Sequence, residues 1–330
     1  MSKATLYFLG VACVGGYILL ASSQSVALNT WLATTNVFLV VGLSFSIVTV
    51  CFVVISLALT GFGPYRAVFR RPGLVVGLNV TSVFNWLFYF LAVKYLEPAV
   101  AVTLTQGIGP LSMTAYCLVR GFPVSRVTRS CHGVILVVAS VMCVYVVSEQ
   151  VTHGPYGRPE LAMAVAIGIV CSISITATVL LSKAFAEENV PSSFVLSVRF
   201  PLLVATCMAV LPTQSDVTLD TRSILIVLAV ALLGIATATY LLQRGIEMAP
   251  SLAVSTCLAL SPIVVFVIDV LRPGFTPDPA VFGIIALIVV VSLVSIIYDG
   301  LRLRADRTGP VDPTEEDRTD ISRTPTPGRD

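Results

Sequence analysis

Long apolar runs separated by short polar patches dominate the chain. Ten of them approach or pass the roughly 20 residues a helix needs to cross a hydrocarbon core: 4–23, 37–60, 73–96, 98–119, 130–149, 160–184, 192–212, 223–246, 249–271 and 279–300. The breaks carry turn chemistry: Gly61, Gly63 and Pro64, then Gly121 and Pro123, then Gly154, Pro155, Gly157 and Pro159, and last Pro273, Gly274, Pro277 and Pro279. The pattern predicts an all-α polytopic membrane protein with ten transmembrane helices. Lys3 followed by an apolar run also fits a signal peptide. The run is long, lacks a small-x-small cleavage site and precedes nine more, so it reads as a retained helix.

Composition narrows the class. With 56% hydrophobic and 12% charged residues, the chain has about half the charged share of an average domain, which excludes a soluble single domain, a disordered chain and a nucleic-acid binder. The net charge of +2 says little, but the positions of the charges set an orientation. With a cytoplasmic N-terminus, twelve cations fall at inner ends: Lys3, Arg66, Arg70, Arg71, Arg120, Arg126, Arg129, Lys183, Arg244, Arg302, Arg304 and Arg307. Four fall at outer ends: Lys94, Arg158, Arg222 and Arg272. That asymmetry follows the positive-inside rule and places both termini in the cytoplasm. The eight cysteines form no Cys-x-x-Cys pair and sit in apolar runs, so they read as small hydrophobes rather than as disulfides or metal ligands.

The second half echoes the first. Glu97-Pro98-Ala99-Val100-Ala101-Val102-Thr103 matches Ala249-Pro250-Ser251-Leu252-Ala253-Val254-Ser255, and Pro110 matches Pro262, both at an offset of 152. Five spans per copy is an odd number, so the second copy enters the membrane from the opposite side. Two inverted five-helix repeats, 1–150 and 151–303, predict a secondary transporter with its site near the midplane. Residues 304–330 turn to Pro, Thr, Asp, Glu and Arg, which predicts a disordered cytoplasmic tail. The Thr324-Pro325-Thr326-Pro327 run is either a phosphorylation or docking site or plain solvated chain.

With these features the chain resembles the drug/metabolite transporter superfamily, of the ten-helix EamA-like type. The resemblance rests on Tyr95-Leu96-Glu97-Pro98-Ala99-Val100-Ala101 with Pro110, on Met248-Ala249-Pro250-Ser251-Leu252-Ala253 with Ser261-Pro262, and on Arg199-Phe200. It covers residues 4–300 and departs at Ser44-Phe45, where the first repeat would show Arg-Phe. The resemblance implies a carrier of small metabolites or drug-like solutes in the cell (inner) membrane, with export favoured.

Polar groups deep in apolar spans are costly and therefore informative. Arg199 lies within the seventh span, where a central arginine costs about 3 kcal/mol. It either binds a carboxylate or phosphate, or holds a gate, or satisfies helix-end carbonyls, or snorkels to the cytoplasmic face. Asn85 and Tyr89, four apart, share a helical face bordered by Trp86 and extended by Ser82. Thr103, Gln106, Gly107, Pro110 and Thr114 form a stripe in the fourth span, and Gly107, Pro110 and Pro262 are candidate helix breaks. Thr237 and Tyr240 share a face in the eighth. The candidate substrate site is thus Arg199, Asn85, Tyr89, Gln106, Trp86, Thr103, Tyr240 and Thr237. The bland reading of the amides and hydroxyls is interhelical bonding.

His132 and His153 lie near span ends, and Glu97, Glu149, Glu160, Glu247, Asp269 and Asp299 sit at ends or in loops. No deep acid pair or histidine suggests an enzyme, a metal or a cofactor, and no midspan carboxylate offers a proton site, which favours facilitated transport or exchange. The expected partners are a small-molecule substrate and the lipid bilayer, with the chain a monomer or homodimer. A membrane receptor or scaffold without transport is the alternative.

Overall fold

The computed structural model describes residues 3–32, 35–68, 71–153, 156–214, 221–272 and 275–308. Among them every regular element is helical. The helices make ten rods. Rod 1 is Lys3–Leu32, rod 2 Val37–Thr60, rod 3 Pro72–Tyr95, rod 5 Arg126–His153, rod 6 Arg158–Glu187 and rod 10 Pro279–Thr308. Rod 4 is helix Pro98–Val102, a π-helical turn Thr103–Gly107 and helix Gly109–Val119. Rod 7 is Ser192–Arg199 and Pro201–Val210 with a final 3-10 turn Leu211–Thr213. Rod 8 is Thr221–Ala229, a π-helical turn Val230–Ala236 and Thr237–Met248, and rod 9 is Ser251–Leu258 and Ser261–Val270. A short helix, Gly63–Val68, joins rods 2 and 3.

Among the described residues nine helices are long and apolar enough to cross a membrane. Rod 4 is the tenth rod, and its three pieces are each too short to cross alone. Rods 2 and 4 keep the predicted limits, whereas rod 1 runs nine residues past the predicted end at 23, to Leu32. The apparent stop, Ser22-Ser23-Gln24-Ser25, is a polar stripe turned largely into the protein: Ser22, Gln24 and Ser25 are buried. Rod 10 continues to Thr308, past the expected tail boundary at 303. The rest of the tail, with the Thr324-Pro327 run, lies outside the described residues, as do Arg70 and the turn residues Gly154, Pro155, Pro273 and Gly274.

The rods pair in a regular way. The most extensive contacts join rods 3 and 6, 1 and 8, 5 and 10, and 2 and 7, and rod 4 packs on rod 9. Large apolar side chains such as Leu59, Val119, Val144 and Leu271 stay exposed. Between apolar helices in lipid the hydrophobic drive is weak, so close packing and internal hydrogen bonds must hold them together. Two rod ends illustrate this. Asn29 Nδ2 of rod 1 donates to the Val93 and Leu96 carbonyls at 2.7 and 3.2 Å, at the end of rod 3. Lys183 Nζ of rod 6 donates to the Ile246, Glu247 and Ala249 carbonyls at 3.0, 3.2 and 3.1 Å, at the end of rod 8. Each cap satisfies carbonyls that a terminating helix leaves free.

Between rods 3 and 4, Glu97 faces Asp269, Arg272 and Asp278. Burial pushes its carboxyl above the usual carboxylate range, the Asp269 and Asp278 charges push the same way, and Arg272 opposes them. Asp269 is fully buried near the end of rod 9, with Arg272 Nη2 3.6 Å from its Oδ1. Arg272 and Glu97 therefore meet at the same end of the bundle.

Two measurements check this packing. A Cβ on Gly245 of rod 8 would lie 2.6 Å from Val14 Cγ2 and 3.0 Å from the Gly10 carbonyl oxygen of rod 1. Gly245→Ala is expected to cost about 1–3 kcal/mol and to lower the thermal unfolding midpoint. Gly15→Ala, where a Cβ meets nothing within 4 Å, should leave the midpoint level or raise it. The raised Glu97 carboxyl makes its stability contribution complete below the ordinary carboxylate range and lost as pH rises through the raised value. Glu97→Gln should therefore raise the midpoint at neutral pH, with a gain that vanishes in acid.

Candidate functional site

Rod 7 breaks one residue after Arg199, and the break explains how a cation sits in this bundle. Pro201 has no N–H and cannot continue the ladder, so Phe200 leaves the helix. In an unbroken helix the Leu202 N–H would bond the Val198 carbonyl. Here the Asn79 side chain of rod 3 is inserted between them. Its Nδ2 donates to the Val198 oxygen at 2.7 Å, and its Oδ1 accepts from the Leu202 N–H at 3.1 Å. Nδ2 also donates to its own Val75 carbonyl at 3.0 Å, which locks the side chain. One amide thus splices the two halves of rod 7 and ties them to rod 3.

Three residues along rod 3, Ser82 Oγ accepts from Arg199 Nε at 3.1 Å. Arg199 is 1% exposed, and its guanidinium packs over the Phe200 ring at 5.3 Å. Its Nη1 and Nη2 have no hydrogen-bond partner. The Tyr17 hydroxyl of rod 1 lies within electrostatic reach of Arg199 and of Tyr89.

A chain of rings leads on from Arg199. Phe45 of rod 2 lies 4.9 Å from Phe200 and 5.0 Å from Trp86 between centroids, and Trp86 lies 6.1 Å from Tyr89. All four are buried. The Trp86 Nε1–H has no partner, and the Tyr89 hydroxyl faces Ser25 without reaching hydrogen-bond geometry. Arg199, Trp86 and Tyr89 are thus three of the expected site residues brought onto one contiguous buried cluster. Asn85 is buried beside it, and its backbone carbonyl accepts from Cys171 Sγ at 3.1 Å.

The other expected residues are placed differently. Gln106 Oε1 accepts from Ser261 Oγ at 2.7 Å and bridges the breaks in rods 4 and 9. Thr103 Oγ1 donates to its own Ala99 carbonyl at 2.7 Å. Gly107 ends the π-helical turn of rod 4, Pro110 lies in the first turn of the next helix, and Pro262 does the same in rod 9. Thr237 and Tyr240 lie on an exposed side of rod 8, where Tyr240 stacks on Phe52. His132 is fully buried and bonded to Thr114 Oγ1 at 2.6 Å through Nδ1. Sequence reasoning missed Asn79, Tyr17 and Phe45. Asn79 sits three residues before Ser82 and ten before Tyr89, on the same stripe, which was the available signal.

No family model matches the chain, and no curated protein matches it. A solved structure described only as "Crystal structure of protein" is similar in fold, with a TM-score of 0.66 at 18% sequence identity, over 90% of this chain and 97% of that one. At that identity the likeness concerns the fold alone.

Asn79→Leu keeps the approximate shape and removes the splice, leaving the Leu202 N–H and Val198 carbonyl unmet. Each orphaned group costs about 1–3 kcal/mol, so a clear drop in the detergent-solubilised unfolding midpoint is expected. An unchanged midpoint would show that the break is satisfied without Asn79.

Proposed function

We propose that the chain is a secondary transporter that moves a small metabolite or drug-like solute across the cell membrane by alternating access. The observation that carries this reading is the Arg199 fork. It is buried, unpaired at both Nη atoms and held beside a helix break. A structural arginine would be expected to have those atoms satisfied, because an orphaned charged donor in a low-dielectric interior is expensive. A group kept in that condition fits a ligand-binding role. Broken helices that line a central site are a recurring device of carriers.

The pairing of the rods supports two inverted repeats. Exchanging rods 1–5 with rods 6–10 turns the 3–6 pair into the 8–1 pair and returns 2–7, 4–9 and 5–10 to themselves. The same exchange turns the Asn29 cap of rod 3 into the Lys183 cap of rod 8. Gln106 and Ser261 join the broken rods of opposite halves. Such an arrangement lets one half rock against the other around a fixed site. Ten crossings with both termini cytoplasmic, and membership of the EamA-like drug/metabolite transporters, complete the reading. Export rests on that resemblance.

Metabolite profiling of medium from deletion and overexpressing strains would identify the solute, and its flux then tests the site. Arg199→Ala removes a costly buried charge, so membrane levels should stay near normal while transport falls at least about tenfold. Arg199→Lys keeps the charge, loses the planar fork and should also transport poorly. Undiminished flux through Arg199→Ala would overturn the binding role.

A further inference from the structure

The cluster around Arg199 is one-sided in its chemistry. Its unpartnered groups include both Nη atoms of Arg199 and the Trp86 indole N–H, all of which are donors only, and the Tyr89 hydroxyl, which donates readily. No carboxylate stands among them. Arg199 and Asp269 are the buried charged side chains among the described residues, and Asp269 is held by Arg272 at 3.6 Å near the end of rod 9. Among the described residues the Arg199 charge is therefore without a buried counter-ion.

Low dielectric makes charge balance decisive. In such an interior an opposite charge at contact distance attracts several times more strongly than it would in water. A lone guanidinium is matched by a single negative charge. Its two parallel N–H groups fit the two oxygens of a carboxylate. A phosphate monoester carries about −1.5 to −2 near neutral pH and would leave surplus charge buried. A zwitterion would bring an ammonium group with no carboxylate to receive it. Beyond the fork, Phe200, Phe45 and Trp86 form a continuous aromatic wall, at 4.9 and 5.0 Å between successive ring centres. That wall suits an apolar or aromatic body.

Building on the carrier reading, we infer that the site takes a monocarboxylate with an apolar body: Arg199 Nη1 and Nη2 grip the carboxylate, and the rings of Phe200, Phe45 and Trp86 hold the apolar body. Ser82, through Nε, is a positioning residue that aims the fork.

The test uses the full chain in detergent with Trp31→Phe, which leaves Trp86 as the single tryptophan of the two present. Phenylacetate, phenylacetamide, phenyl phosphate and phenylalanine are titrated against Trp86 fluorescence. Phenylacetate should give a saturable change with at least about tenfold tighter binding than the other three. Arg199→Gln should weaken phenylacetate to the level of the amide. If Arg199→Gln does not fold, the four-ligand series on intact Arg199 decides the matter. An amide that binds as well as the acid overturns the inference, as does tighter binding of the phosphate or the zwitterion, or no saturable response to phenylacetate. Counterflow in proteoliposomes separates the two readings. The predicted binding order with no phenylacetate exchange sinks the carrier and keeps the anion site. Arg199-dependent exchange of a cationic solute without phenylacetate binding sinks the anion class and keeps the carrier.

Discussion

A helix that breaks inside an apolar bundle exposes backbone groups that lipid cannot satisfy, and the protein must meet them itself. Rod 7 breaks at Phe200-Pro201 because proline cannot donate, and the Asn79 amide fills the missing link between Val198 and Leu202. That single insertion fixes the position of Arg199, the last residue before the break, against rod 3. Ser82, three residues further along rod 3, then takes its Nε. The aromatic wall is set by the same geometry, since Phe200 is the residue that leaves the helix and meets Phe45.

The same constraint recurs wherever a rod is interrupted. In rod 4 the threonines bond back to carbonyls four residues earlier, at 2.7 and 2.8 Å, and Thr176 of rod 6 donates to the Gly109 carbonyl at 3.3 Å. The Gln106–Ser261 bond ties the interruption in rod 4 to the one in rod 9. The Thr176 and Gln106–Ser261 links run between a rod of the first five and a rod of the last five, as do the main helix pairs. The bundle is therefore stitched at its weak points rather than along its smooth faces.

Against this background the Arg199 cluster differs from the groups that tie the broken rods together. Gln106, Thr103 and Asn79 have partners, whereas the outer donors of Arg199, Trp86 and Tyr89 do not. The difference separates groups that hold the fold together from groups available to something else. The Gln106–Ser261 bond also shows that an amide inside a span does not by itself mark a site. An amide in lipid is costly, and a neighbouring hydroxyl or backbone group removes that cost as well as a substrate does.

Much of the fold was legible because apolar length is a local property. Rods 2 and 4 follow the limits that hydropathy and proline set, at 37–60 and 98–119. Rod 1 runs past its expected end because Ser22, Gln24 and Ser25, polar enough to suggest a loop, are buried inside the bundle. Arg199, Trp86 and Tyr89 could be named in advance because a charge or a polar ring inside an apolar run is anomalous wherever its helix points. Thr237 and Tyr240 could not be judged that way, since a shared helical face does not say whether it turns inward, and theirs is exposed. Asn79, Tyr17 and Phe45 join the site only through contacts between rods distant in sequence. The sequence by itself determined which stretches are helical and where a costly charge lies. Only the tertiary structure decided which polar groups find partners, because hydrogen bonding across a bundle depends on which faces of which rods meet.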